Sequence, residues 1–499
     1  LIADKMRPGM ILFSVVVLFL CAGILTPKEM LEGFSNKGMI TVALLFLVSE
    51  GIRQSGTLGQ VIKKLLPQGK TTVFKAQLRI LPSVAFISAF LNNTPVVVIF
   101  APIIKHWAKS VNLPATKFLI PLSYVTILGG ICTLIGTSTN LVVHGMILEA
   151  GFEGFSMFEL GKVGIFIAIA GIIYIFLFSK RLLPDARPDT AVPDEEVEEG
   201  EKLHRVEAVL GARFPGINKK LKDFNFQRHY GAEVKEIKTR NGQRFVSNLE
   251  EVVLHEGDTL VVMADDTFIP TWGESSVFVL LTNGNEPDTT GKKKRWFALL
   301  LLVLMIVGAT VGELPVTKEM FPDIKLDMFF FVSITTIIMA WTNLFPARKY
   351  TKYISWDILI TIACAFAISK AMVNSGVADS VAKFIIGLSD DYGPHVLLAM
   401  VFIITNLFTE LITNNAAAAL AFPLALSISA QLGVSPTPFF VVICMAASAS
   451  FSTPIGYQTN LIVQGIGNYK FTDFVRIGLP LNIITFLISI ILIPLIWNF

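Results

Sequence analysis

Two asparagine motifs set in apolar sequence carry most of the chemistry this chain can offer. The first is Leu91-Asn92-Asn93-Thr94-Pro95 and the second is Ile412-Thr413-Asn414-Asn415-Ala416. Each sits in a stretch, Val84–Ile104 or Val401–Leu426, that is too long to be one plain membrane span with a polar centre. Backbone that leaves helical form at membrane depth must be buried in protein or line a wet cavity, because lipid pairs with no N–H or C=O group. A helical hairpin that dips in and turns at the motif meets that condition. At its tip, helix-end carbonyls with Asn and Thr oxygens form a hard-oxygen cage suited to sodium. Helix N-terminal amides and Asn amides form a cradle for an anion. A single such motif is equally well read as an interhelical Asn hydrogen bond, common glue between membrane helices. Two at matched positions favour a site.

A second motif pair is Gly129-Gly130 with Gly136-Thr137-Ser138-Thr139-Asn140, and Ser452-Thr453-Pro454-Ile455-Gly456-Tyr457-Gln458-Thr459-Asn460. Glycine, proline and hydroxyl residues cluster in the middle of apolar runs, as in an interrupted transmembrane helix. A break frees carbonyls on one side and amides on the other, so one element serves both a cation and an anion; a ligand-free kink is the plain alternative. No Arg, Lys, Asp or Glu lies within the four motifs, and Glu410 stands three residues before Thr413. An anion here is therefore held by dipoles and bound cations. Its affinity depends on the cation, which is how coupling arises.

The elements that position these motifs come in two copies. Ile40-Thr41-Val42-Ala43 aligns with Ile360-Thr361-Ile362-Ala363 at an offset of 320, as do Phe46, Ser49, Ser55 and Gly56 with Phe366, Ser369, Ser375 and Gly376. Thr133–Leu141 aligns with Thr453–Leu461 at the same offset, and Asn93 and Pro102 align with Asn414 and Pro423 at 321. Two matched halves, each with a polar break at corresponding positions, point to a secondary transporter whose site lies between them. Glu50 and Lys370 occupy one repeat position with opposite charge. They either pair across the pseudo-twofold, since lone intramembrane charges are costly, or reach separate interfaces.

The chain of 499 residues is 53% hydrophobic and 16% charged, with a mean hydropathy of +0.64. Soluble domains average about 25% charged residues, so this is a membrane protein. Met10–Ile24, Val163–Phe178, Trp296–Val311, Met328–Trp341 and Ile477–Trp497 approach the length of a span. Met10–Ile24 lacks a small-residue cleavage site and is expected as a retained helix. The net charge of +3 is small and says nothing about nucleic acid, but there is no basic stripe with interleaved aromatics, and no nucleic-acid partner is expected. Cys21, Cys132, Cys364 and Cys444 sit in apolar runs and read as buried small side chains. The six histidines have no paired spacing, so no metal other than sodium and no cofactor is expected. No nucleophile–base set is visible, which argues against an enzyme.

Residues 1–183 and 296–499 form the two membrane halves, and 184–295 are polar. The polar region opens with a Pro- and acid-rich linker, 184–200. Val206–Leu210, Ala232–Lys238 and Thr259–Ala264 are expected strands. Pro215-Gly216 is a turn, Ile217–Phe224 a short helix and Asn241-Gly242 a hairpin turn. About 80 residues hold little core alone, so the module should pack on something. Lys180-Arg181 and Lys292-Lys293-Lys294-Arg295 flank it, and positive charge beside spans marks the cytoplasmic side.

At its four motifs the chain resembles the divalent anion:sodium symporter family, which transports sulfate, dicarboxylates and citrate. That family carries Ser-Asn-Thr at each of two hairpin tips, where Asn92-Asn93-Thr94 and Thr413-Asn414-Asn415 stand here. It also carries a Gly-Thr/Ser-Pro-Pro-Asn-like stretch in two unwound helices, where Gly136–Asn140 and Gly456–Asn460 stand. The resemblance covers both membrane halves. It implies an all-α polytopic membrane protein of two inverted repeats, with re-entrant helical hairpins and unwound transmembrane helices. A small cytoplasmic α+β domain completes it. The resemblance also implies a homodimer embedded in lipid in a plasma or inner membrane. Anion contacts are then expected from Asn93, Thr94, Ser138, Thr413, Asn414, Asn415 and Gln458. Sodium contacts are expected from Asn92, Asn93, Gly136, Thr413, Asn414 and Gly456. Hydroxyls that dicarboxylate-type members place two residues beyond the motif are Val96 and Ala417 here, which favours a compact tetrahedral anion such as sulfate. A dicarboxylate, another oxyanion or a proton-linked anion exporter are the rival readings; a channel lacks a carbonyl-rich filter sequence. The module resembles the C-terminal subdomain of potassium-conductance regulators (RCK-C) at Pro215-Gly216, Tyr230–Val234 and His255–Val262. That likeness implies a dimerising regulatory unit with a possible small-molecule regulator, although an inert spacer fits as well.

Overall fold

The computed structural model describes residues 8–185, 204–211, 214–239, 243–265, 268–272, 277–282, 292–321, 324–387 and 393–499. Most of them are helical, and seven of the described helices are long and apolar enough to cross a membrane. The expected spans at Val163, Trp296 and Ile477 lie in Gly161–Leu182, Lys292–Gly312 and Phe471–Ile496. Those at Met10 and Met328 are shorter helices of 14 residues, Pro8–Cys21 and Met328–Trp341. At 1.5 Å per residue, such a helix reaches about 21 Å. The outer faces of the long helices expose Phe166, Leu177, Leu300, Leu304, Leu487 and Leu495, an apolar exterior too extensive for a water-facing surface. Cys21 is exposed rather than buried, while Cys364 and Cys444 are buried.

Helices follow one another in the same order on either side of the polar region. Lys37–Gln54 corresponds to Trp356–Asn374, Thr57–Leu65 to Val377–Gly387, and Val73–Ser88 to Gly393–Leu411. Asn93–Ser110 corresponds to Asn414–Leu432, Leu119–Gly130 to Thr437–Ser448, Ser138–Glu149 to Gln458–Gly467, and Gly161–Leu182 to Phe471–Ile496. Local sequence explains the boundaries. Asn36, Thr72 and Asp327 accept hydrogen bonds from first-turn amides and so start their helices. Gly56 and Gly376 have φ of 70° and 73°. That left-handed corner admits glycine without strain and ends one helix before the next begins.

Two short helices, Pro8–Cys21 and Met328–Trp341, each pack on the other set. Pro8–Cys21 lies along Trp356–Asn374, where Leu12 and Val16 join a cluster with Cys364, Ala367, Ile368 and Ala371. Met328–Trp341 lies along Lys37–Gln54, clamped by the Lys37–Asp327 ion pair. Glu50 and Lys370 find separate surroundings. The Glu50 carboxylate is bound by Arg53 at 2.7 Å and Gln54 at 2.6 Å on its own helix, and Lys370 lies near Glu29 and Glu149.

The polar region folds into a five-stranded antiparallel sheet. Its strands run in the order Arg244–Phe245, Glu233–Lys238, Thr259–Ala264, His204–Leu210, Phe278–Thr282. Phe214, Phe224, Phe226, Tyr230 and Phe278 form an aromatic core on it. Ile217–Phe224 is not the expected helix. Only Leu221–Asp223 makes a helical turn, because the preceding backbone bonds elsewhere: Asn218 N donates to Leu254 O at 2.7 Å, and Leu254 N to Lys219 O at 3.0 Å. The Asn241-Gly242 turn and most of the 184–200 linker lie outside the described residues.

This sheet rests on the membrane helices. Lys105, on the Asn93 helix, places its ammonium 3.0 Å from both Glu207 oxygens, and buried Lys238 approaches Glu207 at 3.5 Å. Gly257 faces Leu461, and Gly465 faces the Thr259 hydroxyl so closely that a Cβ there would lie 2.6 Å from it. Burial alone would raise the Glu207 carboxyl, but Lys105 and then Lys238 overcome it and hold it down at about 2. The contact is thus complete above the ordinary value of 4.5 and is lost as pH falls toward 2. Removing one partner of a buried ion pair typically costs about 3–5 kcal/mol. Lys105→Ala should therefore loosen the sheet, read as faster hydrogen exchange at Thr259–Ala264 with the membrane helices unchanged. Unaltered exchange in that strand would show that the ion pair does not hold it.

Candidate anion and sodium site

Each of the four motifs ends in a helix start. The Asn93 helix is capped by Asn92, whose side-chain oxygen accepts from Thr94 N at 3.5 Å. The Asn414, Ser138 and Gln458 helices follow Thr413, Thr137 and Tyr457, and none of these three residues makes a side-chain capping bond. First-turn amides are left without intrahelical partners.

The starts meet in crossed pairs. The Thr94 hydroxyl donates to Gln458 Oε1 at 3.4 Å. On the other side, the Ser138 and Thr139 hydroxyls both donate to Asn415 Oδ1 at 3.2 Å. Thr94 and Asn415 are repeat-matched positions, as are Ser138 and Gln458, so one contact mirrors the other. Each hairpin-like tip therefore belongs with the break of the opposite half.

Within the tips the matched asparagines are held alike. Ser88 donates to Asn93 Oδ1 at 2.7 Å, and Thr409 donates to Asn414 Oδ1 at 2.8 Å. Asn93 is 1% exposed and Asn414 8%. The Asn93 amide donates to the Tyr457 hydroxyl at 2.6 Å, Thr137 Oγ1 lies 3.1 Å from the same hydroxyl, and the Asn414 side chain interacts with it too.

Behind the tips lie oxygen-rich patches at helix C-terminal ends. Val73–Ser88 and Leu119–Gly130 both end there. Gly130 and Gly136 nearly touch. A Cβ on Gly136 would lie 2.5 Å from Gly130 O and 3.0 Å from Ala89 O, and one on Gly130 would lie 2.7 Å from Asn93 Oδ1. Asn140 donates to Thr133 O at 2.9 Å, yet its own Oδ1 is buried with no hydrogen-bond partner. The carbonyls of Ala89 and Gly130 and the amide oxygen of Asn93 form a neutral donor set that suits sodium. In the second half Asn460 donates to Ser450 O at 2.9 Å and Thr453 O at 3.1 Å, and its Oδ1 accepts from Ser123 at 2.7 Å. Ser450 stands where Gly130 does, and a Cβ on Gly456 would collide with its hydroxyl.

Of the expected anion residues, the crossed contacts bring Thr94 to Gln458, and Asn415 to Ser138. Asn93 and Asn414 both reach Tyr457, and Thr413 begins the Asn414 helix. Of the expected sodium residues, Asn93 and Gly136 fall in the first oxygen patch and Gly456 in the second, where Thr409 and Asn414 also lie. Asn92 instead lines a small cleft with Ser49, Ser138, Leu302 and Met305. Sequence reading did not single out Ser88, Thr409, Tyr457 or Asn140. Tyr457 could have been found from its repeat match with Thr137, a hydroxyl-for-hydroxyl exchange. Glu410 Oε1 accepts from Ser452 N at 2.9 Å and from Asn482 at 2.7 Å, while its Oε2 is buried without a partner.

Known proteins resemble this chain over most of its length. The family described as citrate transporter matches residues 1–433 and, in a second match, 325–498. An uncharacterized transporter of Synechocystis sp. is 30% identical over 97% of this chain and 93% of its own length. Sodium/sulfate cotransporter 1 of Chlamydomonas reinhardtii is 22% identical over 96% of this chain and 86% of its own. Human solute carrier family 13 member 4 is 25% identical over 32% of this chain and 24% of its own. With most of its length matched, the chain belongs to this citrate-transporter family of divalent anion:sodium symporters and is a multi-pass integral membrane protein.

Proposed function

We propose that the protein is a sodium-coupled symporter that carries a divalent anion, sulfate, by alternating access. The observation that carries this reading is the meeting of four helix N-termini at motifs that contain no charged side chain. Each helix start favours an anion by about 0.3–1 kcal/mol when exposed and up to about 2 kcal/mol when partly buried. Nearby oxygen patches at helix C-terminal ends supply the opposite sign, so sodium and anion lie side by side and each strengthens the other. Relatives named sodium/sulfate cotransporters support both ions.

In this reading the halves 1–183 and 296–499 are inverted repeats, and Val73–Ser110 and Gly393–Leu432 are re-entrant hairpins. Region 184–295 is a cytoplasmic, RCK-C-like regulatory domain in a homodimer. The sheet bears on the Asn93 and Gln458 helices, two of the four that build the site, so its state biases the balance between access states. Two observations favour rival ions and define the assay. The family description names citrate, and the unpartnered Glu410 oxygen suits a proton or a second cation.

Proteoliposome uptake of sulfate, succinate and citrate under sodium, potassium and proton gradients tests the reading. Sulfate uptake should require inward sodium and be unaffected by exchanging potassium for the proton gradient. Equal uptake in potassium would sink sodium coupling, and citrate or succinate outrunning sulfate would reassign the substrate. Asn93→Ala and Asn414→Ala each remove a buried amide whose partners are then unpaired, at about 1–3 kcal/mol. Their apparent sulfate affinity should fall about 10- to 100-fold in folded protein; wild-type uptake by both would displace the site. Replacing 185–291 with a flexible linker should leave sodium-dependent anion binding intact and change the transport rate. Loss of binding in a folded deletion would make the sheet part of the site.

A further inference from the structure

Tyr457 occupies a position that the repeat gives to a short hydroxyl residue, Thr137. It precedes the Gln458 helix in extended backbone, with φ of −133° and ψ of 131°, and its side chain does not cap that helix. The ring instead runs across the midline, and its hydroxyl takes the Asn93 amide at 2.6 Å and lies 3.1 Å from Thr137 Oγ1. One group of the second half thus holds the tip and the break of the first. The matched residue of the first half, Thr137, meets the second half at that same hydroxyl.

We infer that Tyr457 determines which anions the site accepts, its hydroxyl serving as an anion contact and its ring limiting the site to compact tetrahedral oxyanions. This rests on the anion-transport reading above. A buried Asn amide without an acceptor is costly, so in the empty site the phenol oxygen stands in for the anion. When an oxyanion arrives, it takes the Asn93 amide, and the phenol turns from acceptor to donor toward it. No atom needs to travel far, which keeps the exchange cheap. The hydroxyl meets the asparagines of both tips, Asn93 and Asn414, so the ring, bulkier than the threonine at the matched position, stands beside them. A tetrahedral oxyanion gathers all its oxygens in one sphere and fits what remains. An elongated dicarboxylate needs both ends bound at once, and the ring lies in its way.

Two substitutions separate the hydroxyl from the ring. Tyr457→Phe keeps the ring and removes the donor, and Tyr457→Thr restores the repeat residue and clears the ring. Sodium-dependent sulfate and succinate uptake would be measured in proteoliposomes, with folding checked by thermal unfolding in sodium. Tyr457→Phe should raise the KM for sulfate about tenfold, the loss of roughly one hydrogen bond to a charged group, with a smaller change in kcat and unchanged preference over succinate. Tyr457→Thr should raise the succinate-to-sulfate ratio of kcat/KM about tenfold. Wild-type sulfate KM in Tyr457→Phe together with an unchanged ratio in Tyr457→Thr overturns the inference. Should Tyr457→Thr not fold, an unchanged KM in Tyr457→Phe alone overturns it. If wild-type protein carries no sulfate, the substrate assignment fails separately. The preference for compact over elongated anions is then read on the anions that are carried, and insensitivity of that preference to Tyr457→Thr overturns the inference.

Discussion

Four helix N-termini held in one place repel one another. Each presents partial positive charge and unpartnered amides, and no carboxylate in the motifs neutralises them. Such a cluster persists only if neighbouring packing forces it and if something of opposite sign relieves it. Packing does the first. The tips are locked from behind by Ser88 and Thr409, and from the side by the opposite half through Thr94–Gln458 and Ser138–Asn415. The second is left to ligands. The motifs themselves supply only dipoles, and the nearest carboxylate, Glu410, has one oxygen taken by Ser452 N and Asn482. A bare site, a sodium-loaded site and a fully loaded site therefore differ in net charge by the ions themselves, the condition under which ions and substrate travel together.

The two halves share a plan but not its details. Both place an Asn after a helix end, a hydroxyl behind it and a glycine in the break. In the first half Gly130 leaves room, and Asn140 offers an unoccupied oxygen. In the second, Ser450 fills the corresponding space, Ser123 satisfies Asn460, and Glu410 adds a carboxylate where Ala89 stands. The two oxygen patches thus present different fields, and in the proposed transport cycle a sodium ion would meet them as unequal partners.

Much of this was legible in the sequence because polar residues are rare in apolar stretches and stand out when they repeat. Asn93 and Asn414, Gly136 and Gly456, and the matched turns at Gly56 and Gly376 all announced themselves that way. The crossed contacts did not, since spacing along the chain says nothing about which half a helix start will face. Tyr457 stood inside a motif but was not among the expected contacts, because position along the chain does not show that its hydroxyl crosses to Asn93. The expected helix at Ile217–Phe224 failed for a related reason. Its local pattern allowed a helix, but Asn218 and Lys219 bond to Leu254 across the fold, and tertiary pairing overrode propensity. Lys105 was not singled out, because its partner Glu207 lies 102 positions away.

The packing of Pro8–Cys21 on the other set has a bearing on how the chain is made. Pro8–Cys21 emerges from the ribosome early, yet the surface it packs on, Trp356–Asn374, is synthesised some 340 residues later. At about 5–20 residues per second, this short helix waits on the order of half a minute for its neighbour. During that interval its core-facing residues Leu12 and Val16 have only lipid or the insertion machinery against them. Neither half can complete its own packing first, so assembly of the whole is committed to the late arrival of the second.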